Sequence, residues 1–467
     1  MARVTTSGAL RLSAPAGRWV MIATALGAGL VLLETTVVNV ALPAIGEDLG
    51  ASLTGLQWSV NAFTLTLSGF VLLGGALGDR FGRRRIYLVG LAWFAVASLL
   101  CGAAQNVEWL IAARALQGFG GALLVPGSLA LVQEAFRPGD QARAVGAWSG
   151  LSGVAGAAGP LVGGWLVDVA SWRSAFWVNV PVSLVVAVLL VRYVPESRDP
   201  GPARGFDLAG GLLAAAGLGC ATYALTEASS AGWPVFASAA AGLIALAAFV
   251  QAERRRRAPM LPLELFSSRE FSTANLASFC VYGALAGLFF LLPIQLQVTV
   301  GYTPLAAGLA LLPATLLVLG LSARAGALTA KIGSRTLVSA GSLCCVAALL
   351  LALRIGPGAE YLADVLPTIV LIGVGIAMIT PAISTAVLGA VPEQRVGIAS
   401  AVNNGVARVA GLVVVAALPA VAGLPRVLAA DPAALDRGFA VSMLICACLF
   451  LAGGVLTWFG MRRTASR

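Results

Sequence analysis

Residues 75–84 read GALGDRFGRR, and residues 326–335 read GALTAKIGSR. Five of the ten positions are identical, and Arg80 recurs as Lys331 at an offset of 251. Each stretch lies between two long apolar runs. The first apolar run, opening near residue 18, has its counterpart near 269, again about 251 residues on. The chain therefore reads as two copies of one unit, with the copied loop between the second and third run of each. An even number of spans separates the two loops, which puts them on one side of a membrane and makes the repeat parallel in sense. Paired units of this kind belong to carriers whose halves rock about a midplane site. A channel or a receptor has no need of them.

Composition supports the membrane. Of 467 residues, 59% are hydrophobic and 11% are charged, against roughly 45–50% and about 25% in soluble domains. No soluble fold of this size could cover such a chain with polar surface, so the bilayer is the solvent for most of it. Apolar runs long enough to span are expected at 18–43, 55–78, 86–106, 108–132, 142–168, 174–194, 207–228, 233–252, 271–297, 304–325, 335–354, 364–388, 396–422 and 438–460, fourteen in all. Residues 271–323 carry no charge over 53 positions, and Val300-Gly301-Tyr302-Thr303-Pro304 breaks that run in two. The first run is too long for a signal peptide, carries Glu34 and has no small-residue cleavage site after it, so it is expected to be an uncleaved span.

Charge orients the chain. There are 30 Lys and Arg, all but Lys331 being Arg, against 20 Asp and Glu, for a net +10. With the N-terminus inside, inner loops and tails hold 24 of the 30, including Arg3, Arg11, Arg18, Arg254 to Arg257, Arg462, Arg463 and Arg467. Outer loops hold four, Arg173, Arg354, Arg426 and Arg437, and two lie inside spans, Arg114 and Arg408. The excess of cations is thus the basic inner rim of a membrane protein, and no nucleic-acid partner is expected. The absence of histidine removes the commonest metal ligand and every His-based triad. The seven cysteines (101, 220, 280, 344, 345, 446, 448) lie in apolar runs and read as small buried hydrophobes. No phosphate-binding loop or protease motif occurs, and no soluble segment is long enough for a nucleotide domain. Neither an enzyme nor a bound cofactor or metal is expected.

Charges deep in a span are costly and mark function by default. Glu34 lies nine residues from the outer end of its expected span, roughly 13 Å at 1.5 Å per residue. Arg114 lies six residues from the outer end of the fourth, roughly 9 Å. Similar depth allows contact. The pair reads as a protonatable carboxylate tuned by an arginine, with a permanent ion pair that fixes packing as the alternative. Arg408, near Asn403 and Asn404, attracts an anionic group or holds a helix interface. In the loop, Gly75, Gly78 and Gly82 let Asp79, Arg80 and Arg83 fold under the helix ends, either as a gate or as a plain topology determinant. In the fifth span, Gly156, Gly159, Pro160, Gly163 and Gly164 line one face for close packing and allow a bend. Asn39, Trp58, Asn61, Gln117, Gln295, Gln297, Asn403 and Asn404 are candidates to line a cavity.

These motifs together resemble the major facilitator superfamily. GALGDRFGRRR resembles its loop signature, RALQGFGGA (114–122) its proton-linked fourth-span signature, and the run around Gly159 and Pro160 its antiporter signature. LETTVVNVALPAI (33–45), SWRSAFWVNVP (171–181), LLPIQLQVTVGYTPLAAGLALLP (291–313) and ASAVNNGVARVAG (399–411) resemble the fourteen-helix drug:proton antiporters. This chain has Glu34 where that family usually has Asp, and Phe63 where it often has an aromatic hydroxyl.

The resemblance implies an all-α polytopic membrane protein with the major facilitator fold, two six-helix bundles plus two inserted helices. The expected layout is a cytoplasmic tail 1–17, a bundle 18–194, inserted helices 195–270, a bundle 271–460 and a cytoplasmic tail 461–467. It implies proton-driven export of antibiotics or other amphipathic small molecules across the bacterial inner (plasma) membrane by a monomer, with both termini cytoplasmic. On this reading Glu34 and Arg114 couple the proton, and Asn39, Trp58, Asn61, Gln117, Gln295, Asn403, Asn404 and Arg408 face substrate. A dedicated exporter of one endogenous metabolite is the alternative, followed by a transport-inactive receptor of the same fold.

Overall fold

Inside a bilayer a span must satisfy its own backbone hydrogen bonds, which a helix does. The computed structural model is helical wherever the apolar runs lie. The structure describes residues 10–197, 208–230, 232–256, 261–392, 395–424 and 432–461. Arg3, Arg257, Arg426, Arg462, Arg463 and Arg467 lie outside the described residues.

In chain order the helices are α1 (Pro15–Leu49), α2 (Leu53–Phe81), α3 (Arg83–Gly102), α4 (Val107–Ala135), α5 (Pro138–Val169) and α6 (Ser174–Tyr193). Then come α7 (Leu208–Thr226) and α8 (Trp233–Arg255). They are followed by α9 (Arg269–Thr299), α10 (Pro304–Ile332), α11 (Ser334–Ala352), α12 (Tyr361–Gly389), α13 (Val396–Val421) and α14 (Pro432–Gly460). Thirteen are long and apolar enough to cross a membrane singly, and α2 makes the fourteenth as two pieces, Leu53–Val71 and Leu73–Phe81, bent by 48°. Among the described residues the only β pairing is an isolated bridge between Leu10 and Phe136.

Several helices overrun the expected spans. The first continues through Pro43 to Leu49, where Gly50 closes it in the left-handed region (φ 59°) and gives its N–H to Gly46 O. Glu34 is therefore fifteen residues from the helix end rather than nine. Side chains fix other starts: Asn106 accepts from Trp109 N, Ser268 from Phe271 N and Thr303 from Ala306 N.

Contacts divide the chain into two units, Met1–Ala51 with Trp58–Gly219, and Ser52–Gln57 with Cys220–Arg467. The division falls within α7 and also separates the first turn of α2, up to Gln57, from the rest of that helix. In the first unit α1 lies along α5 and α6, and α3 along α4 and α6. In the second, α9 lies along α13 and α14, and α11 along α12 and α14. Each pairing of one unit thus recurs in the other eight helices later. The repeated loop recurs in detail too. Gly82 (φ 109°) separates α2 from α3, and Gly333 (φ 84°) separates α10 from α11. Both glycines adopt backbone that side chains rarely tolerate.

Many large apolar residues are exposed, as lipid contact requires. Leu184, Val188 and Val191 on α6 are examples, as are Phe236, Leu243 and Ile244 on α8. The buried residues of α8 are Val235, Gly242 and Glu253 alone, the signature of a helix at the edge of its unit.

Candidate functional site

Glu34 and Arg114 meet in the first unit. An Nη1 proton of Arg114 goes to Glu34 Oε1, and both side chains are buried, 0% and 1% exposed. The carboxylate's other oxygen, Oε2, accepts from Asn179 Nδ2 at 2.6 Å. Arg114 also donates from Nε to Ser59 O at 2.9 Å and from Nη1 to Gln117 Oε1 at 2.6 Å. Gln117 Nε2 donates to Ser98 Oγ at 2.8 Å, and Ser98 returns its proton to Phe94 O. The Phe63 ring lies 4.4 Å from the guanidinium carbon, and the Phe176 ring 5.7 Å. Helices α1, α2, α3, α4 and α6 therefore converge on one buried, hydrogen-bonded ion pair.

Such a pair can do two things. Taking both charges out of water is costly, and only close geometry and further hydrogen bonds offset the cost. Here both carboxylate oxygens and the guanidinium are engaged. A proton on Glu34 would cancel the attraction and leave the guanidinium held by the aromatic faces and by neutral acceptors. The arrangement is thus stable with an ionised carboxylate and has residual partners for the cation when the carboxylate is neutral.

The glycine run of α5 packs against the segment of α1 that carries Glu34. A Cβ on Gly156 would meet Leu32 Cβ at 3.0 Å, one on Gly159 would meet Thr36 Oγ1 at 1.8 Å, and one on Gly163 would meet Val37 Cα at 3.0 Å. Thr36 Oγ1 donates to Gly156 O at 3.0 Å. Pro160 lies inside the helix and Gly164 is buried. At the C-terminal end of α1, Asp48 accepts from Arg173 Nη1 at 2.6 Å and Trp172 Nε1 at 3.0 Å, which ties that end to the α5–α6 turn.

At the repeated loop, Arg83 bridges two acids. Its Nη2 lies 2.8 Å from Asp79 Oδ1, and its Nη1 lies 2.5 Å from Glu134 Oε2. Glu196 caps the N-terminus of α3, accepting from Arg84 N at 3.0 Å and Arg85 N at 3.2 Å. Glycine is favoured there by its φ of 109°, and a Cβ would also stand 2.7 Å from Glu196 Oε1 and push that carboxylate aside. Gly75 packs on Pro126, and Arg80 sits in the last turn of α2.

The remaining candidates scatter. Gln117 belongs to the Glu34 cluster. Asn61 is buried with Nδ2 unpartnered, and Asn39 has a buried, unpartnered Oδ1. Trp58 is half-buried on α2. In the second unit Gln295 is fully buried and joins α9 to the α11–α12 loop and to α14, donating to Ile355 O at 2.9 Å and Asp436 Oδ1 at 2.7 Å. Asn403 donates to Ser278 Oγ at 2.7 Å and Asn275 Oδ1 at 3.2 Å. Exposed Asn404 donates to Ser400 O at 3.0 Å, and Arg408 stands one turn beyond it. Asn179, Ser98, Glu134 and Glu196 are additions from the structure. Of these Asn179 carried a signal, as an amide in the apolar span 174–194.

A multi-span carrier built from two copies of one helical unit is the class that this fold defines. The chain belongs to the Major Facilitator Superfamily, whose model matches residues 24–416. It is 40% identical to a puromycin resistance protein of Streptomyces alboniger, over 85% of this chain and 80% of that one. It is 37% identical to a multidrug resistance protein of Mycobacterium tuberculosis, over 82% of this chain and 71% of that one. A tetracenomycin C resistance and export protein of Streptomyces glaucescens is 33% identical, over 84% of this chain and 73% of that one. Among solved structures, a D-xylose-proton symporter superposes with TM-score 0.69 at 16% identity, covering 96% of this chain and 99% of that one. A bacterial homologue of the human lysosomal transporter Spinster gives TM-score 0.69 at 16% identity, covering 96% and 97%. Those two likenesses establish the fold alone.

Proposed function

We propose that this protein is a proton-driven antiporter that exports amphipathic organic compounds, antibiotics among them, by alternating access. The observation that carries the reading is the ion pair of Glu34 and Arg114, fully buried in the first unit with both carboxylate oxygens engaged. A driving ion needs a titratable site within the membrane field, and histidine is absent. The relatives named for resistance and export supply the class of cargo.

In the proposed cycle, Glu34 takes a proton from outside and gives it up inside as the cavity changes face. Asn179 serves both states. Its Nδ2 donates to the ionised carboxylate, while its Oδ1 is buried without a partner. A half-turn of the amide offers that oxygen to the proton of neutral Glu34. Substrate binding and proton binding compete, which couples the two flows. The protein works as a monomer in the bacterial inner (plasma) membrane with both termini cytoplasmic, and the arginine asymmetry supports that orientation.

The direct test is proton release. Purified protein in weakly buffered detergent solution should acidify the medium when a transported drug is added. Binding of the drug with no proton released would sink the antiport reading. Relatives named for a single antibiotic favour a second reading, dedicated export of one metabolite. A panel of unrelated drugs separates the two, since a dedicated exporter protects against one compound and its close analogues.

A further inference from the structure

Arg408 stands at the middle of α13, twelve residues from Val396 and thirteen from Val421. No hydrogen bond or ion pair joins it to any described residue, in contrast to Arg114, whose charge is matched by Glu34. The helix itself carries no Asp or Glu. Acids on the elements packed against α13 lie at helix ends: Asp79 is in the last turn of α2, Glu270 opens α9, Glu227 precedes the turn Ala228–Ser230, Asp364 is in the opening π turn of α12, and Asp436 is near the start of α14. Asp364 is paired with Arg354 at 3.0 Å, and Asp436 accepts from Gln295 at 2.7 Å.

The face of α13 leading to Arg408 is open and polar. A Cβ on Gly397 or Gly405 would meet nothing within 4 Å, and Asn404 is exposed. Ser400, Asn404 and Arg408 recur at four-residue spacing, on one face of the helix. A guanidinium at mid-span does not face hydrocarbon when it can face a water-filled cavity. The fork of a guanidinium matches a carboxylate, and the bond strengthens where water is scarce.

We infer that Arg408 is the anchor of an anion subsite in this protein, and that the preferred substrates are amphipathic organic carboxylates. This rests on the export reading above and specifies its cargo. The cation has no counter-charge among the described residues, so an entering carboxylate neutralises it. The Asn404 amide, one turn away, offers a donor to the same group. Exchange of one carboxylate outward for one proton inward moves two positive charges inward, so the membrane potential drives it as well as the pH gradient.

The test compares a charged probe with a neutral one of the same shape. Protein in nanodiscs of zwitterionic lipid is titrated with 1-naphthylacetate and with 1-naphthylacetamide, read by tryptophan quenching. The wild type should bind the carboxylate about tenfold more tightly, as one charge-assisted bidentate contact allows. Arg408→Gln should reduce the ratio to about twofold or less, and Arg408→Lys, which keeps the charge but loses the fork, should retain only part of it. Monodisperse elution of both variants shows that they are folded. Equal binding of the two probes by the wild type, or an unchanged ratio in Arg408→Gln, overturns the subsite. Uphill export of drugs by a wild type that ignores the carboxylate leaves the antiporter standing and removes the anion site. An Arg408-dependent preference in a protein that moves nothing uphill does the reverse.

Discussion

Asn179 Nδ2 lies 2.6 Å from Glu34 Oε2, while Asn179 Oδ1 is buried with no partner among the described residues. An amide so placed has one group for each protonation state of the carboxyl beside it. An unsatisfied buried oxygen costs on the order of 1–3 kcal/mol, so its place beside a fully buried carboxylate supports a use for it.

Asn179→Leu removes both groups and should cut uphill drug export about tenfold, equivalent to roughly 1.4 kcal/mol. Drug binding at equilibrium should change little, because Asn179 touches the carboxylate and not the cargo. Export assayed in inverted vesicles, beside binding to the purified variant, separates coupling from folding. Equal losses in both would make Asn179 a packing residue.

Gly82→Ala forces a side chain into positive φ and against Glu196. The backbone alone should cost about 1–2 kcal/mol. Adding Glu196→Ala relieves the contact and leaves the backbone cost, so the double variant should recover only part of the lost thermal stability. It should not recover export, since the α3 cap is then gone. Full recovery of export would reduce the loop to a determinant of topology. Asp79→Asn should likewise lower export with normal membrane insertion.

Gly159→Ala places a methyl on Thr36 Oγ1. Overpacking of this kind typically costs about 1–3 kcal/mol. Thr36→Ala in the same chain should restore part of the melting temperature, measured by the unfolding of purified protein. No recovery would mean that α1 and α5 adjust by moving apart rather than by rearranging side chains.

The orientation is open to labelling. A single cysteine at Arg255, in a chain whose seven native cysteines are replaced, should resist an impermeant maleimide in intact cells and react in inverted vesicles. Labelling from outside would reverse the assigned topology.

Glu34 and Arg114 are legible in the sequence because a charge stands out in a long apolar run and helical rise places both at similar depth. The repeat is equally legible, and Gly82 and Gly333 share their unusual backbone as its offset implies. Asn179 and Ser98 are harder, since a neutral polar side chain in a span does not announce its direction. Gln117 and Gln295 show why. Both are buried glutamines in apolar surroundings, yet one joins the ion pair and the other ties the α11–α12 loop to Asp436. Glu134 and Glu196 sit near helix ends, where acids are ordinary, and only folding brings them to Arg83 and the α3 N-terminus. Pro43 is no stop signal because its neighbours continue the helix to a glycine cap.

The central claim is that the Glu34 carboxyl carries the driving proton. It is tested most directly in proteoliposomes with an imposed pH gradient, comparing wild type, Glu34→Gln and Glu34→Asp. Glu34→Gln mimics the protonated state permanently. It should bind drug more weakly than the wild type, since proton and drug compete, and neither accumulate drug against its gradient nor move protons when drug is added. Glu34→Asp keeps an acid and should keep most of the uphill transport. Proton-dependent uphill transport by Glu34→Gln at the wild-type rate would contradict the account and make the buried pair a structural one.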